Sequence, residues 1–350
     1  MRDFIAHAKR LQERNAFGQD SAAIQEVLNA AYRDLRKVQA KSAIDYLNIE
    51  ELFSAIDMGA MLGVFGSREP SSLNELRRAV RVFIYRTLEE TIRVKHSEQK
   101  IHGPAGYDAL AKLALEKLKN GFSIGRRDVA FITFNYDVCL EFALVKNGIG
   151  VDYGLREAFL EQEETKYQIV APVLKLHGSI NWGRCPKCNA IVPTEIDPWR
   201  RAHPIDILDQ PPELRLLLGS RISKRQHTCG AQLDAVPVLV PPTWNKATET
   251  ADLVDVWRRA AQELATADNI VVIGYSFPVT DTFFRYLFAL GADSDVHLEH
   301  FVLLNGERGD DTMPQFAELL GPMSRNALRS HPFVFAGSSA EGVIRRVLED

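Results

Sequence analysis

No run of apolar residues in this sequence approaches the roughly 18–20 that a membrane-spanning helix needs. Neither sign of charge dominates: 42 Lys and Arg stand against 46 Asp and Glu, giving a net charge of −4 and a pI of about 6.2. A global basic field that would attract nucleic acid or anionic lipid is therefore absent. The pairs Arg126-Arg127 and Arg200-Arg201 lack interleaved aromatics and read as solvated faces, so no direct nucleic-acid binding is expected. Cysteine is scarce, with four in 350 residues, too few for a disulfide framework in a chain of this length. Glycine (22) and proline (16) stay at ordinary levels, and no repeat or low-complexity tract occurs, which excludes collagen-like and disordered classes. The opening residues, MRDFIAHAKRLQERN, mix charged and apolar side chains and contain no continuous apolar signal region. These absences predict a water-soluble, cytoplasmic globular chain of one large or two smaller domains.

What is present changes character near residue 127. Upstream, apolar residues recur at helical spacing: Ile24, Val27, Leu28, Ala31 and Leu35 form one stripe, and Leu73, Leu76, Val80, Phe83, Ile84 and Leu88 another. Leu110, Leu113, Leu115 and Leu118 predict a further helix, stopped by Asn120-Gly121. No strand is predicted in this half. Downstream, the β-prone run 129–134, a helix over 137–146 and a strand over 169–176 follow one another, with Pro172 placed near the strand's start. A helix over 251–267, a strand over 270–273, a helix over 281–290 and a strand over 301–304 continue the alternation. Strands alternating with helices predict an α/β fold with a Rossmann-like parallel sheet, a large N-terminal helical region (1–126) and a small insertion (184–240) rich in Pro, Cys and charge.

Each apolar strand runs into polar residues. They are Asn135-Tyr136-Asp137, His177-Gly178-Ser179, Gly274-Tyr275-Ser276 and Asn305-Gly306. In a parallel sheet the carboxyl ends share one edge, and ligands bind in the crevice outside it. Asn135, Asp137, His177, Ser276 and Asn305 are therefore predicted to converge. Singly, each has a structural alternative as a helix cap or a core histidine. Asp281 reads as a helix N-terminal carboxylate, and Arg285 as a packing or ion-pair residue.

Cys185-Pro-Lys-Cys188 has the spacing of a zinc knuckle, and His227-Thr-Cys229-Gly230 supplies a second half. Three thiolates and an imidazole suit zinc. A redox dithiol and a metal-free loop remain as alternatives, and His203 is the substitute should His227 not reach the site. Cys139, beside Leu140 and Phe142, is expected to be buried packing.

The ordered set of strand-end motifs resembles the sirtuin-like family. Thr133-Phe134-Asn135-Tyr136-Asp137 is similar to its Thr-x-Asn-x-Asp motif, Leu176-His177-Gly178 to its His-Gly, Gly274-Tyr275-Ser276 to its Gly-x-Ser loop, and Leu304-Asn305 to its adenosine-side Asn. The longer strings Lys175–Trp182 (KLHGSINW) and Gly274–Phe288 (GYSFPVTDTFFRYLF) resemble prokaryotic sirtuin-like proteins of antiviral defence that consume NAD. The resemblance implies an NAD domain over 127–183 and 241–350, with 184–240 as a structural zinc module. It implies His177 as general base, Asn135 as the group positioning the nucleophile, and Asp137 orienting the nicotinamide end or Asn135. Thr133, Asn135, Gly274, Ser276 and Asn305 would contact the dinucleotide. The implied activity is NAD hydrolysis to nicotinamide and ADP-ribose in antiphage defence, with a homo-oligomer or a defence partner protein. An NAD-dependent protein deacylase and a nucleotide-sensing subunit are the alternatives. Two departures accompany the resemblance. Gln226 stands where the third cysteine would be, with His227 one position on, and no strand with a Gly-Ala-Gly turn precedes residue 129. Gly59-Ala60-Met61-Leu62-Gly63 has the wrong spacing for that turn. The sequence therefore leads to the expectation that the chain begins inside the helix after the turn and binds NAD poorly until extended upstream.

Overall fold

The computed structural model describes residues 2–35, 44–97, 100–102, 105–120, 129–155, 167–194, 213–215, 217–241, 253–277, 282–291, 298–305, 309–332, 342–343 and 345–346. Gly121, Arg126-Arg127, Arg200-Arg201, His203 and Asp281 lie outside these residues.

The first half is helical, as its periodicity requires. Helices Arg2–Glu13, Ser21–Asn29, Ile49–Leu62 and Pro70–Thr91 enclose one core in which Ile24, Val27, Leu52, Phe53, Leu73 and Phe83 are at most 1 % exposed. Local chemistry sets the boundaries. Asn48 caps the third helix by accepting from the Glu50 amide (3.0 Å), and Gly63, at φ +68°, ends it in the left-handed conformation that favours glycine. Pro70 opens the 22-residue helix at its first turn, where a missing N–H costs nothing.

This half also contains strands that the sequence reading excluded. β1 (Arg93–Ser97) and β2 (Lys100–His102) form an antiparallel hairpin before helix Ala105–Asn120. Only Val94 in β1 is a buried apolar residue among those whose exposure is described, so no alternation marks the strand.

The second half alternates as expected. β3 (Phe131–Thr133), helix Cys139–Lys146, β4 (Ile149–Asp152) and β5 (Ile169–Lys175) make a parallel ladder in the order β3-β5-β4. Pro172 sits mid-strand rather than at its start. There the β4 ladder ends, and the β3 ladder begins one residue later at Val173, so the missing donor falls at the changeover. β6 (Trp182–Arg184) and β7 (Ile191–Pro193) pair antiparallel in the cysteine module, and β8 (Glu213–Arg215) joins β1. After helix Val254–Thr266, β9 (Asn269–Ile273), β10 (His300–Asn305) and β11 (Leu328–Pro332) form a second parallel ladder, β11-β10-β9. β11 and helix Gly309–Leu319 were not anticipated. The helix contains Pro314, and β11 has one buried apolar residue, Leu328.

Among the described residues the parallel strands thus form two three-stranded ladders, joined by side chains rather than by strand pairing. The Trp257 indole donates to the Leu176 carbonyl (3.0 Å), tying helix Val254–Thr266 to the end of β5. Gly291 lets helix Thr282–Gly291 pack closely, since a Cβ there would lie 2.9 Å from the Ala261 carbonyl oxygen. The insertion is anchored to the helical half. The Ser220 amide donates to Glu89 (3.0 Å), whose carboxylate also meets Arg86 at 2.8 Å, and Arg215 meets Glu90 at 2.6 Å.

Candidate functional site

His177 follows β5 directly, at the end of a run in which Val173, Leu174 and Leu176 are fully buried. Its own side chain is buried. The turn behind it has one permitted shape. Gly178 has φ +80°, and a Cβ there would lie 2.1 Å from the Val238 carbonyl oxygen, the atom that accepts the Ser179 amide at 3.0 Å. The Val240 amide donates to the His177 carbonyl (2.8 Å), so the chain leaving the cysteine module is laced to both sides of the glycine. Gly178→Ala is therefore expected to destabilise the protein by about 2–4 kcal/mol, combining backbone strain with a backbone clash. A urea titration measures it, and wild-type stability in this variant would contradict the assigned geometry.

The residues that bring the strand ends together lie between the motif positions. The Phe134 ring stacks on Tyr275 (4.7 Å between centroids, 16° between planes) and meets His177 edge-on at 4.9 Å and Phe284 at 5.4 Å. Tyr275 is held in turn by Asn305, whose side-chain amide donates to the Tyr275 carbonyl (3.3 Å) and to the Thr312 hydroxyl (2.8 Å). The Gly274 amide donates to the Leu304 carbonyl (3.0 Å) with Gly274 at φ +65°. The ends of β3, β5, β9 and β10 are thus linked through Phe134, Tyr275 and Asn305. The aromatic identity of those intervening positions was the available sign.

The individual residues differ in what they offer. Asn135 is exposed, and its amide N–H donates to the Thr133 hydroxyl (3.1 Å), which fixes the turn after β3. Its carboxamide lies 3.5 Å from the Tyr107 hydroxyl. Tyr107 comes from the first turn of helix Ala105–Asn120, and burial raises its phenol pKa. The sequence reading missed this residue, because a tyrosine in an apolar helical stripe looks like core. The helix is held in place by the Lys146–Asp108 ion pair at 2.6 Å. Asp137, one residue before the N-cap position Val138, accepts the Cys139 amide (2.9 Å) and so fixes the turn into the helix. Ser276 is exposed beside Gly274. Asn305 is 7 % exposed, and both hydrogens of its amide are spent on Tyr275 and Thr312. Arg285 pairs with Glu318 at 3.6 Å and lies over the Phe277 ring, so it is an ion-pair and packing residue. Cys139 is buried and its thiol is pushed up by that burial, as packing requires.

In the insertion, the ligand atoms of Cys185, Cys188, His227 and Cys229 all lie within 4.8 Å of one another. The contacts are 3.4 Å for Cys185–Cys229, 3.4 Å for Cys188–His227 Nδ1 and 3.1 Å for His227 Nδ1–Cys229. A tetrahedron of zinc–sulfur bonds of about 2.3 Å has edges near 3.8 Å, so the four donors fit one ion. Two facing turns present them. The Asn189 amide donates to the Cys185 carbonyl (2.9 Å) and the Gly230 amide to the His227 carbonyl (2.8 Å), with Asn189 at φ +60° and Gly230 at φ +82°. The hydrogen bond with His227 is the chief cause lowering the Cys229 thiol to about 6, which favours the thiolate that a metal needs.

Residues 129–223 match the family described as SIR2-like domain. The matched residues contain Asn135, His177 and both cysteines of the first knuckle. Similar solved structures include a Sir2 homologue mutant in complex with 2'-O-acetyl ADP ribose, at 18% identity, covering 80% of this chain and 78% of that chain with a TM-score of 0.37. A Sir2 homolog–NAD complex shares 16% identity, covering 85% of this chain and 87% of that chain with a TM-score of 0.36. At this degree of likeness no residue role passes from them to this chain. The sequence has no match among curated proteins. No helix among the described residues is long and apolar enough to cross a membrane.

Proposed function

We propose that this protein uses NAD and hydrolyses it to nicotinamide and ADP-ribose. The observation that carries the reading is the pairing, within the SIR2-like segment, of a buried His177 with the exposed Asn135 turn, bridged by the Phe134 ring. The bond between nicotinamide and ribose breaks with its electron pair leaving on nicotinamide, and water attacks the oxocarbenium-like carbon. The water's proton passes to the His177 imidazole, which suits the task because its ordinary pKa lies near neutrality. The Asn135 carboxamide holds the water without adding charge. Asp137 fixes the start of the following helix and thereby Asn135. Thr133 shapes the same turn, Gly274 and Ser276 approach phosphate or ribose, and Asn305 offers its carbonyl oxygen to the adenosine ribose. The cysteine module is assigned structural zinc, held by Cys185, Cys188, His227 and Cys229.

Hydrolysis is preferred to deacylation because the helical half reaches the Asn135 carboxamide through Tyr107, a covering that an open acyl-lysine cleft would not favour. The likeness of Lys175–Trp182 and Gly274–Phe288 to NAD-consuming defence proteins supports a cytoplasmic role in antiphage defence. The deciding assay follows NAD, nicotinamide and ADP-ribose with the purified chain, with and without an acetyl-lysine peptide. Nicotinamide release that depends on the peptide would replace hydrolase by deacylase. Tyr107→Phe removes one neutral hydrogen bond and is expected to lower turnover roughly 3- to 10-fold. Unchanged turnover would remove Tyr107 from the site.

A further inference from the structure

The Asn135 turn is held against the His177 turn by three hydrogen bonds besides a longer one from the Ser179 hydroxyl to the Tyr136 carbonyl (3.3 Å). Two are main-chain: the Leu176 amide donates to the Thr133 carbonyl (2.9 Å) and the Ile180 amide to the Tyr136 carbonyl (3.0 Å). The third is the Lys175 ammonium, which donates to the Asp137 carbonyl. Lys175 lies at the end of β5, two residues before His177, and is 1 % exposed. Its counter-ion is Glu141 at 2.8 Å, also 1 % exposed, on the helix that follows Asp137.

The pair belongs to a longer buried chain of polar groups. The Tyr153 hydroxyl lies 3.5 Å from Glu141, and the Asn181 amide donates to that hydroxyl (3.1 Å) and to the Thr194 carbonyl (2.8 Å). The Ser179 hydroxyl donates to the Asn181 side-chain oxygen (2.6 Å). Burying two charges is costly, and well-packed apolar residues of similar size often serve stability as well or better. Stability alone therefore does not account for an ammonium placed under this turn.

We infer that Lys175 is a positioning residue, which fixes the Asn135-Tyr136-Asp137 turn relative to His177 through the Asp137 carbonyl and is itself aimed by Glu141. The inference rests on the NAD-hydrolysis reading for its catalytic consequence, but its structural core can be read without turnover. The test uses the full chain carrying Lys175→Met with Glu141→Leu, which removes both charges together. Hydrogen exchange of the amides at 135–139 is expected to quicken at least about 10-fold, while exchange in helix Pro70–Thr91 stays at the wild-type rate. NAD turnover is expected to fall about 10-fold or more, with KM for NAD within about 3-fold of wild type. Glu141→Gln keeps the side-chain volume and is the second arm, expected to quicken the same amides about 3-fold. Unchanged exchange at 135–139 in whichever variant folds overturns the inference. Wild-type protein that leaves NAD intact, with quickened exchange in the variants, defeats the hydrolase reading and leaves the positioning role standing.

Discussion

His177→Ala is expected to lower NAD turnover at least about 10²-fold, the loss typical of a removed general base. The residue's place argues for an effect on chemistry rather than on binding alone. The ring is buried, met edge-on by Phe134, and its backbone is fixed on both sides by Gly178 and Val240. An Ala in that space leaves a cavity beside Phe134, so some stability is lost as well, and His177→Asn is the companion that fills more of the volume. Both variants should retain NAD binding by calorimetry while losing turnover. Asn135→Ala should also lose turnover. Because Asn135 and His177 are assigned to one step, the double variant should be little worse than His177→Ala; losses that multiply would place the two residues in separate steps. Wild-type turnover in His177→Ala would end the assignment.

Much of this site was legible because polar residues directly follow buried strands, and a parallel arrangement puts strand ends on one side. The strand-like runs 173–176, apolar but for Lys175, and 301–304 are visible in the sequence, and so are the residues following them. The connecting parts were hidden for physical reasons. Phe134 and Tyr275 look like core aromatics in sequence, and only stacking at 4.7 Å makes them the bridge between the two ladders. Lys175 looks like a surface charge, because nothing local announces that Glu141 will bury beside it. β1 escapes the sequence because Val94 is its one buried apolar residue among those whose exposure is described, so no alternation marks it. Asp137, expected to orient the nicotinamide end or Asn135, and Asn305, expected on the adenosine side, each also hold local structure: Asp137 accepts the Cys139 amide and Asn305 donates to the Tyr275 carbonyl.

Removing zinc is expected to melt the cysteine module. The described apolar core there consists of Cys185, Ala190, Ile222 and Leu233. Burial of two large aliphatic side chains contributes roughly 3–6 kcal/mol, whereas structural zinc contributes on the order of 10–16 kcal/mol of apparent binding free energy in small metal-held units. The metal term is the larger across both ranges, by roughly 1.7-fold or more, so the module should depend on it. Metal analysis of freshly purified protein should give one zinc per chain, and Cys229→Ser should lose it. The damage should be regional at first. Hydrogen exchange should rise in 182–194 and 217–241, then at Ser220 and its partner Glu89, before the core around Phe53 and Phe83 responds. Acid should act in the same direction as a chelator. The hydrogen bond with His227 holds the Cys229 thiol low in the metal-free site, so protons displace the metal only on the acid side of neutrality, and raising the pH should not release it. His227→Ala separates a four-ligand site from a three-cysteine one: it should weaken zinc retention and, in the metal-free protein, raise the Cys229 thiol, since that hydrogen bond is the chief cause of its lowering there. Protein that contains no zinc yet shows wild-type exchange across 182–241 would rule the structural metal out.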